Sequence, residues 1–218
     1  MIGTDGIVLG SDQRNVVTVA EGEGVASGHL TNKIFYNKDL TVMAAWSGED
    51  PAKRLASEIV NLSDSELCNL IGIEAHSDRV YQEECQRLGV PHNIGDVILV
   101  RATDLEKIYR IHVQEKSACC AYYGKVITGH FANPAIYFLE RFYRESEKWP
   151  IKRLTPLIAH VILEGGKINP WGIEGLEIAQ CFNSGIRKIE KNEREELEAM
   201  SKGVSTEISR YLTPMVAD

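Results

Sequence analysis

The order in which strand-like and helix-like segments follow one another is the feature that most limits the fold of this chain. The segments come in blocks: four strands, two helices, three strands, two helices, two strands and a last helix. Short turns join the strands within each block, so hairpins and antiparallel sheets are expected. Helices that come in pairs cover the outer faces of such sheets. We therefore predict an α+β fold, a four-layer αββα sandwich of two antiparallel sheets flanked by helices.

Apolar periodicity, turn residues and helix caps set the expected limits of these segments. Strands are expected near 7–9, 32–37, 40–46, 96–104, 107–114, 122–129, 176–182 and 186–190, and 15–24 is expected to be a strand that runs into a Gly-rich loop. Helices are expected over 49–62, 63–89, 133–149, 155–166 and 193–212. No linker, repeat or low-complexity tract divides the 218 residues, so residues 1–218 are predicted to form a single domain.

Composition excludes several classes of function. The net charge of −7 argues against nucleic acid or an anionic membrane as the main partner, and no apolar run has the length of a membrane span. Five cysteines without a C-x-x-C pair are typical of reduced thiols, and six histidines lack metal-ligand spacing, so neither a metal nor an organic cofactor is expected. The first residues lack the pattern of a signal peptide, and we predict a cytoplasmic protein.

The first fourteen residues, MIGTDGIVLGSDQR, look like the second half of a β-hairpin. The pair Asp5-Gly6 is a strong turn signal, and the apolar strand Ile7-Val8-Leu9 follows it. Only four residues precede the turn pair, which is too few for the opposing strand. The sequence therefore predicts that the first half of this hairpin lies upstream of Met1.

Three segments, taken in order, resemble the proteasome subunits and their N-terminal-nucleophile hydrolase relatives. DGIVLGSDQR (5–14) resembles the first hairpin of that family, and NKIFYNKDLTVMAAWSGEDPAKRL (32–55) resembles its Lys-Ile-Phe, turn and Ala-Gly segment. VITGHFANPAIYFLE (126–140) is similar to its Thr-Gly-x-Gly loop and the helix that follows. The resemblance covers roughly 5–190. It implies the sandwich fold and a threonine-type endopeptidase that cuts polypeptides inside a ring or dimer of identical subunits, with an ATPase as a further partner.

The resemblance also implies a set of catalytic residues. In the family an N-terminal Thr supplies the hydroxyl nucleophile, and its own amine serves as the base. The family's Asp falls on Asp12, and its Lys, which lowers the proton affinity of that base, falls on Lys33. The backbone N–H that stabilises the oxyanion falls on Ala45, where the family usually has Gly. Asp12 and Lys33 fit a purely structural pair equally well, because non-catalytic ring subunits show similar patterns.

Two later segments depart from the family pattern. The loop Thr128-Gly129-His130-Phe131 lacks the serine that is often found there. Asn169-Pro170-Trp171-Gly172 stands where the family has Asp-x-x-Ser-Gly, so it retains neither the acid nor the hydroxyl. Both differences weaken the case for catalysis more than the case for the fold.

The nucleophile itself has three open explanations. If Asp12 is the family's Asp, the Thr lies a few residues upstream of Met1, in a natural protein that begins earlier. Alternatively, the chain is a non-catalytic assembly or binding subunit on the same fold. In the third explanation the bond between Gly3 and Thr4 is cleaved to expose Thr4, although this would remove the first strand. An amidohydrolase of the wider nucleophile group, acting on a small amide, is a further alternative for the substrate.

Overall fold

The computed structural model describes residues 1–18, 24–89, 95–129, 148–169 and 173–212, together with Leu139 and Tyr143. The strands of this part of the chain are β1 (Ile7–Ser11), β2 (Arg14–Thr18), β3 (Gly24–Leu30), β4 (Ile34–Tyr36), β5 (Val42–Ser47), β6 (Gly95–Arg101), β7 (Asp104–Val113), β8 (Ala118–Tyr122), β9 (Glu177–Phe182) and β10 (Gly185–Lys188). Its helices are α1 (Asp50–Ile59), α2 (Asp64–Leu67), α3 (Leu70–Leu88), α4 (Ile151–Ile168) and α5 (Lys191–Leu212).

Two main antiparallel sheets organise these strands. The larger has the order β4-β5-β6-β7-β8, and the smaller has the order β1-β9-β10. The hairpin of β2 and β3 forms a further two-stranded ladder. Neighbours in the larger sheet follow one another along the chain, as hairpin-joined strands do, whereas β1 pairs with the distant β9. The smaller sheet therefore joins the first strand of the chain, β1, to the last two, β9 and β10.

The apolar side chains form three buried layers, which confirm the predicted αββα sandwich. Between the sheets, Met43 of β5 packs in one cluster with Ile7 of β1. Ala44, the next residue of β5, points the opposite way and packs with Leu55 of α1, because side chains alternate along a strand. On the far side of the smaller sheet, Val8 packs with Leu154 of α4. Helices therefore cover both outer faces.

Several predicted limits differ from the structure. The strand expected to begin at 15 is β2, the residues 19–23 of the expected loop lie outside the described residues, and β3, which starts at Gly24, was not predicted. The helix expected over 63–89 is broken, because Asn69 accepts a hydrogen bond from Gly72 N at 3.2 Å and starts α3 anew. The strand expected over 122–129 was wrong: β8 occupies Ala118–Tyr122, and the following residues are loop. Most of the helix expected over 133–149 lies outside the described residues.

The hairpin at the start of the chain is tied to α4. Gly3 N donates to Gly6 O at 2.7 Å, so Thr4 and Asp5 form the tip of the turn. The N-cap of α4 is Pro150, which has no capping side chain. Asp5 Oδ1 instead accepts a hydrogen bond from Ile151 N at 2.7 Å, and its negative charge lies at the positive end of the helix dipole.

We expect Asp5→Ala to lower the free energy of unfolding by about 1 kcal/mol, since it removes this cap from α4. Urea denaturation followed by circular dichroism measures the change. Asp39→Ala is the matched control, because Asp39 is an exposed carboxylate in the β4–β5 turn. A loss of equal size in both variants would contradict a capping role for Asp5.

Among the described residues, no helix combines the length and the apolar character that a membrane span needs.

Candidate functional site

Asp12 and Lys33 form an ion pair at the end of the sandwich. Asp12 follows the last residue of β1, and Lys33 precedes the first residue of β4. The Lys33 Nζ atom lies 3.0 Å from Oδ1 and 2.9 Å from Oδ2 of Asp12. The Lys33 side chain is 13% exposed and that of Asp12 is 21% exposed, so solvent reaches the pair only in part. The two residues that the sequence predicted together therefore meet, although they belong to different sheets.

Backbone hydrogen bonds hold both members of the pair. Arg14 N donates to Asp12 Oδ2 at 3.0 Å, which fixes the carboxylate against the turn that leads into β2. The carbonyl of Lys33 accepts from Trp46 N at 3.2 Å, which extends the β4–β5 ladder by one residue. The Lys33 ammonium also lies 5.9 Å from the centre of the Trp46 ring, within the range of a cation–π contact.

Glu177 is a second acidic residue at this place, and the sequence reasoning missed it. Its Oε2 atom accepts hydrogen bonds from Lys33 N at 2.9 Å and from Ile34 N at 3.2 Å. Burial raises the pKa of Glu177. The only signal in the sequence is an acidic residue at the start of the otherwise mostly apolar strand LEIAQCF, which by itself indicates no contact with Lys33.

Ala45 lies next to this pair in β5, opposite Ile34 of β4 and Ile98 of β6. Its methyl group packs in the cluster between the sheets. Because Trp46 N donates to Lys33 O, strand alternation turns the N–H of Ala45 away from β4 and toward β6. The oxyanion role of Ala45 stays a prediction, and it requires that this N–H be released from its pairing with β6.

The beginning of the chain forms a short ladder along β1. Met1 N donates to Val8 O at 2.7 Å, and Val8 N donates to Met1 O at 2.9 Å. Ile2 bridges to Ile7 in the same antiparallel register. The Met1 amino group is buried, and burial lowers its pKa to about 5. A peptide N–H, which carries no charge, is suited to this position.

The register of this ladder extends toward Asp12. Since Met1 lies opposite Val8, each residue added before Met1 lies opposite the next residue of β1. The fourth residue upstream is therefore opposite Asp12, roughly 13 Å along the strand at about 3.3 Å per residue. Alternation also turns the backbone N–H and C=O of Gly10 toward this edge of β1, because those of Val8 point there.

Thr4 lies at the other end of β1 from the ion pair. It is exposed, and its backbone N–H donates to Trp149 O at 3.1 Å in the hairpin turn. The whole of β1 separates it from Asp12. This position gives Thr4 no access to the Asp12–Lys33 pair in the folded chain.

The two segments that depart from the family pattern are described only in part. A Cβ atom added to Gly129 would lie 4.0 Å from Ser47 Cβ, so the end of this loop approaches the end of β5. His130 and Phe131 lie outside the described residues. Asn169 ends α4, and Pro170–Gly172 are again outside them.

Glu174, just after this gap, forms an ion pair with Arg14. Its carbonyl oxygen also accepts a hydrogen bond from Gln13 N at 2.7 Å. The chain therefore returns from the gap to the residues beside Asp12.

Among the described residues, no group of three or more His, Cys, Asp or Glu side chains could hold a metal ion. A cavity of about 380 Å³ lies elsewhere, between α4 and α5, and is lined in part by Arg14, Lys167 and Ser201. Arg14 and Glu174, which lie beside Asp12, belong to its lining, whereas Asp12, Lys33 and Glu177 do not.

No protein-family model matches the sequence, and no curated protein matches it. Among solved structures the chain is similar to Anbu (ancestral beta-subunit) from Yersinia bercovieri, with a TM-score of 0.68 and 10% sequence identity. The similarity covers 97% of this chain and 94% of that chain. At this identity the likeness shows the fold alone. The chain thus has a proteasome-like fold, as its three sequence segments imply.

Proposed function

We propose that this chain is a proteasome-like peptidase subunit whose nucleophile is an N-terminal Thr located upstream of Met1. The observation that carries the proposal is the position of the Asp12–Lys33 ion pair, at the end of a β1 edge along which Met1 and Ile2 already run in antiparallel register. About four to five further residues in that register bring a new N-terminus beside the pair.

The chemistry follows from the charges at that place. The terminal amine takes the proton of the Thr hydroxyl, and the hydroxyl oxygen attacks the peptide carbonyl. The Lys33 ammonium lowers the proton affinity of the amine and keeps it neutral at physiological pH. Asp12 holds that ammonium in place through two contacts of about 3 Å. The peptide C–N bond then breaks, and the terminal amine passes the proton it took to the leaving amine, which departs as the first product. Water attacks the remaining ester of the acyl-enzyme, the amine takes a proton from that water and returns it to the Thr oxygen, and the second product leaves as a carboxylic acid.

The resemblance to proteasome subunits supports a proposal about assembly and partners as well. We infer a cytoplasmic ring or dimer of identical subunits that encloses the cleavage sites and receives polypeptide from an ATPase partner. Light scattering coupled to size-exclusion chromatography tests the first part, and we expect a mass that is a multiple of the subunit mass. A monomer at micromolar concentration would contradict an enclosed chamber.

Two measurements on the protein from its natural source test the activity. Fluorogenic peptides report hydrolysis, and a peptide electrophile directed at N-terminal Thr reports the nucleophile by the mass and position of its adduct. We expect turnover that the electrophile abolishes, with the adduct on the N-terminal residue. Absence of turnover, or an adduct on an internal residue, would contradict the proposal.

A non-catalytic assembly subunit is the second candidate. A Thr at the N-terminus would not by itself distinguish this candidate from a peptidase, because an inactive subunit can also begin with Thr. The position of the Ala45 N–H favours this candidate, since alternation turns it toward β6 and away from the ion pair. Asn169 in place of an acid favours it as well. An assembled particle that neither cleaves peptides nor forms the adduct would be the expected result.

A further inference from the structure

Glu177 connects the two sheets at the residue that carries the ammonium. It begins β9 in the smaller sheet, where it lies opposite Ser11 of β1. Its Oε2 atom receives the N–H groups of Lys33 at 2.9 Å and Ile34 at 3.2 Å, which lie at the edge of the larger sheet. One carboxylate oxygen thus bridges the sheets where β4 begins.

We propose that Glu177 is a positioning residue for Lys33: its carboxylate anchors the Lys33 backbone to the sheet that carries Asp12, so that the ammonium is held at the catalytic position. This inference rests on the proposed function, because it assigns Glu177 a part in the same site. Glu177 itself touches neither the nucleophile nor the substrate in this account.

Asp12 and Glu177 bind different parts of Lys33. Asp12 binds the ammonium at 2.9 and 3.0 Å, and Glu177 binds the main-chain N–H at 2.9 Å. Asp12 directly follows Ser11, whose register partner is Glu177, so one sheet presents both carboxylates. A long lysine side chain has many rotamers, and fixing its backbone limits where the ammonium can go. Hydrogen bonds to a charged carboxylate are stronger than those to a neutral acceptor.

The surroundings of Glu177 make the clamp sensitive to pH. The charged or titratable groups that face it are Tyr36 of β4, Lys188 of β10 and Arg194 of α5. Burial raises the pKa of Glu177 although Lys188, Arg194 and the two N–H donors act in the opposite direction. Protonation therefore weakens the clamp on Lys33 at a higher pH than it would for an exposed glutamate. We expect Glu177 to contribute to the acid limb of the kcat profile.

Glu177→Gln in the natural protein tests this role, since the amide keeps the shape of the side chain and removes its charge. We expect kcat for a fluorogenic peptide to fall at least ~10-fold with little change in KM, because a small displacement of a catalytic group slows the chemical step. We also expect the acid limb of the kcat profile to lose the contribution of Glu177. Glu106→Gln is the matched control, an exposed carboxylate on β7.

Amide hydrogen exchange, followed by NMR, gives a readout that needs no activity. In Glu177→Gln we expect faster exchange at Lys33 and Ile34, and faster exchange of the Lys33 ammonium protons with water relative to those of Lys53. Unchanged exchange at these groups, or unchanged kcat in an active enzyme, would overturn the proposal. If the wild-type protein cleaves no peptide, the proposed function falls, and the exchange at Lys33 alone decides whether Glu177 positions it.

A second variant covers the case in which Glu177→Gln does not fold. Glu177→Asp keeps the charge and shortens the side chain by one methylene, so the carboxylate no longer reaches both amides. The same increase in exchange and the same loss of kcat are expected. Normal exchange and normal kcat in Glu177→Asp would overturn the proposal.

Discussion

Lys33→Ala in the natural protein is expected to lower peptide hydrolysis at least ~10³-fold, a size typical of removing a charge that tunes a catalytic base. The ammonium is the group that binds both oxygens of Asp12, at 2.9 and 3.0 Å. Without it the N-terminal amine of the proposed Thr stays protonated at neutral pH and no longer accepts the hydroxyl proton. Steady-state rates on a fluorogenic peptide, with circular dichroism to verify the fold, measure the effect.

Lys53→Ala is a closely matched control for this variant. Lys53 Nζ lies 5.9 Å from the centre of the Trp46 ring, the same distance as Lys33 Nζ. Lys53 belongs to α1, however, and no carboxylate among the described residues forms an ion pair with it. We expect its removal to change the rate by less than about twofold, as for most surface substitutions. Equal losses in both variants would mean that Lys33 acts only through general charge or packing.

Gly6→Ala is expected to lower the free energy of unfolding by at least about 2 kcal/mol. Gly6 has a φ of +153°, and a Cβ atom there would lie 2.2 Å from the carbonyl oxygen of Cys181 in β9. The same atom would lie 2.6 Å from Ile151 Cδ1 of α4. The substitution forces the turn at the start of the chain away from β9, and with it β1, the strand that leads to Asp12. Urea denaturation measures the loss.

The same substitution at Gly203 should have the opposite effect. Gly203 lies in α5, and nothing comes within 4 Å of a Cβ atom built on it. Because Ala has a higher helix propensity than Gly, Gly203→Ala is expected to stabilise the protein by about 0.5–1 kcal/mol. A similar change in both variants would show that contact between the hairpin and β9 does not limit stability at Gly6.

The order of strands and helices was enough to predict the architecture, because the apolar pattern within the strands agreed with it. Alternating residues such as Met43 and Ala44 face different layers, as a half-buried strand requires. The misplaced β8 shows the limit of this reasoning. Cys119 and Cys120 lack a strong strand pattern but lie in β8, whereas YYGKVITG (122–129) has one and only its first residue, Tyr122, belongs to β8. Pairing with β7 decides which residues extend the sheet.

The candidate site was predictable in its residues but not in all its contacts. Asp12 and Lys33 were predicted from two segments that resemble the proteasome subunits, and the packing of one sheet on the other brings them together although they are 21 positions apart. Glu177 is 144 positions from Lys33, so only the three-dimensional packing of β9 against β4 reveals its contact. The direction of the Ala45 N–H depends on the hydrogen-bond register of β5, which a sequence pattern does not specify.

The most direct test of the central claim is the N-terminal sequence and intact mass of the protein purified from its natural source. The account predicts a mature chain that begins with Thr about four to five residues before Met1, in the register that runs along β1 to Asp12. Its mass would then exceed the 24.3 kDa of the present sequence. A mature protein that begins at Met1, or at a residue other than Thr, would contradict the proposed nucleophile and favour the non-catalytic assembly subunit.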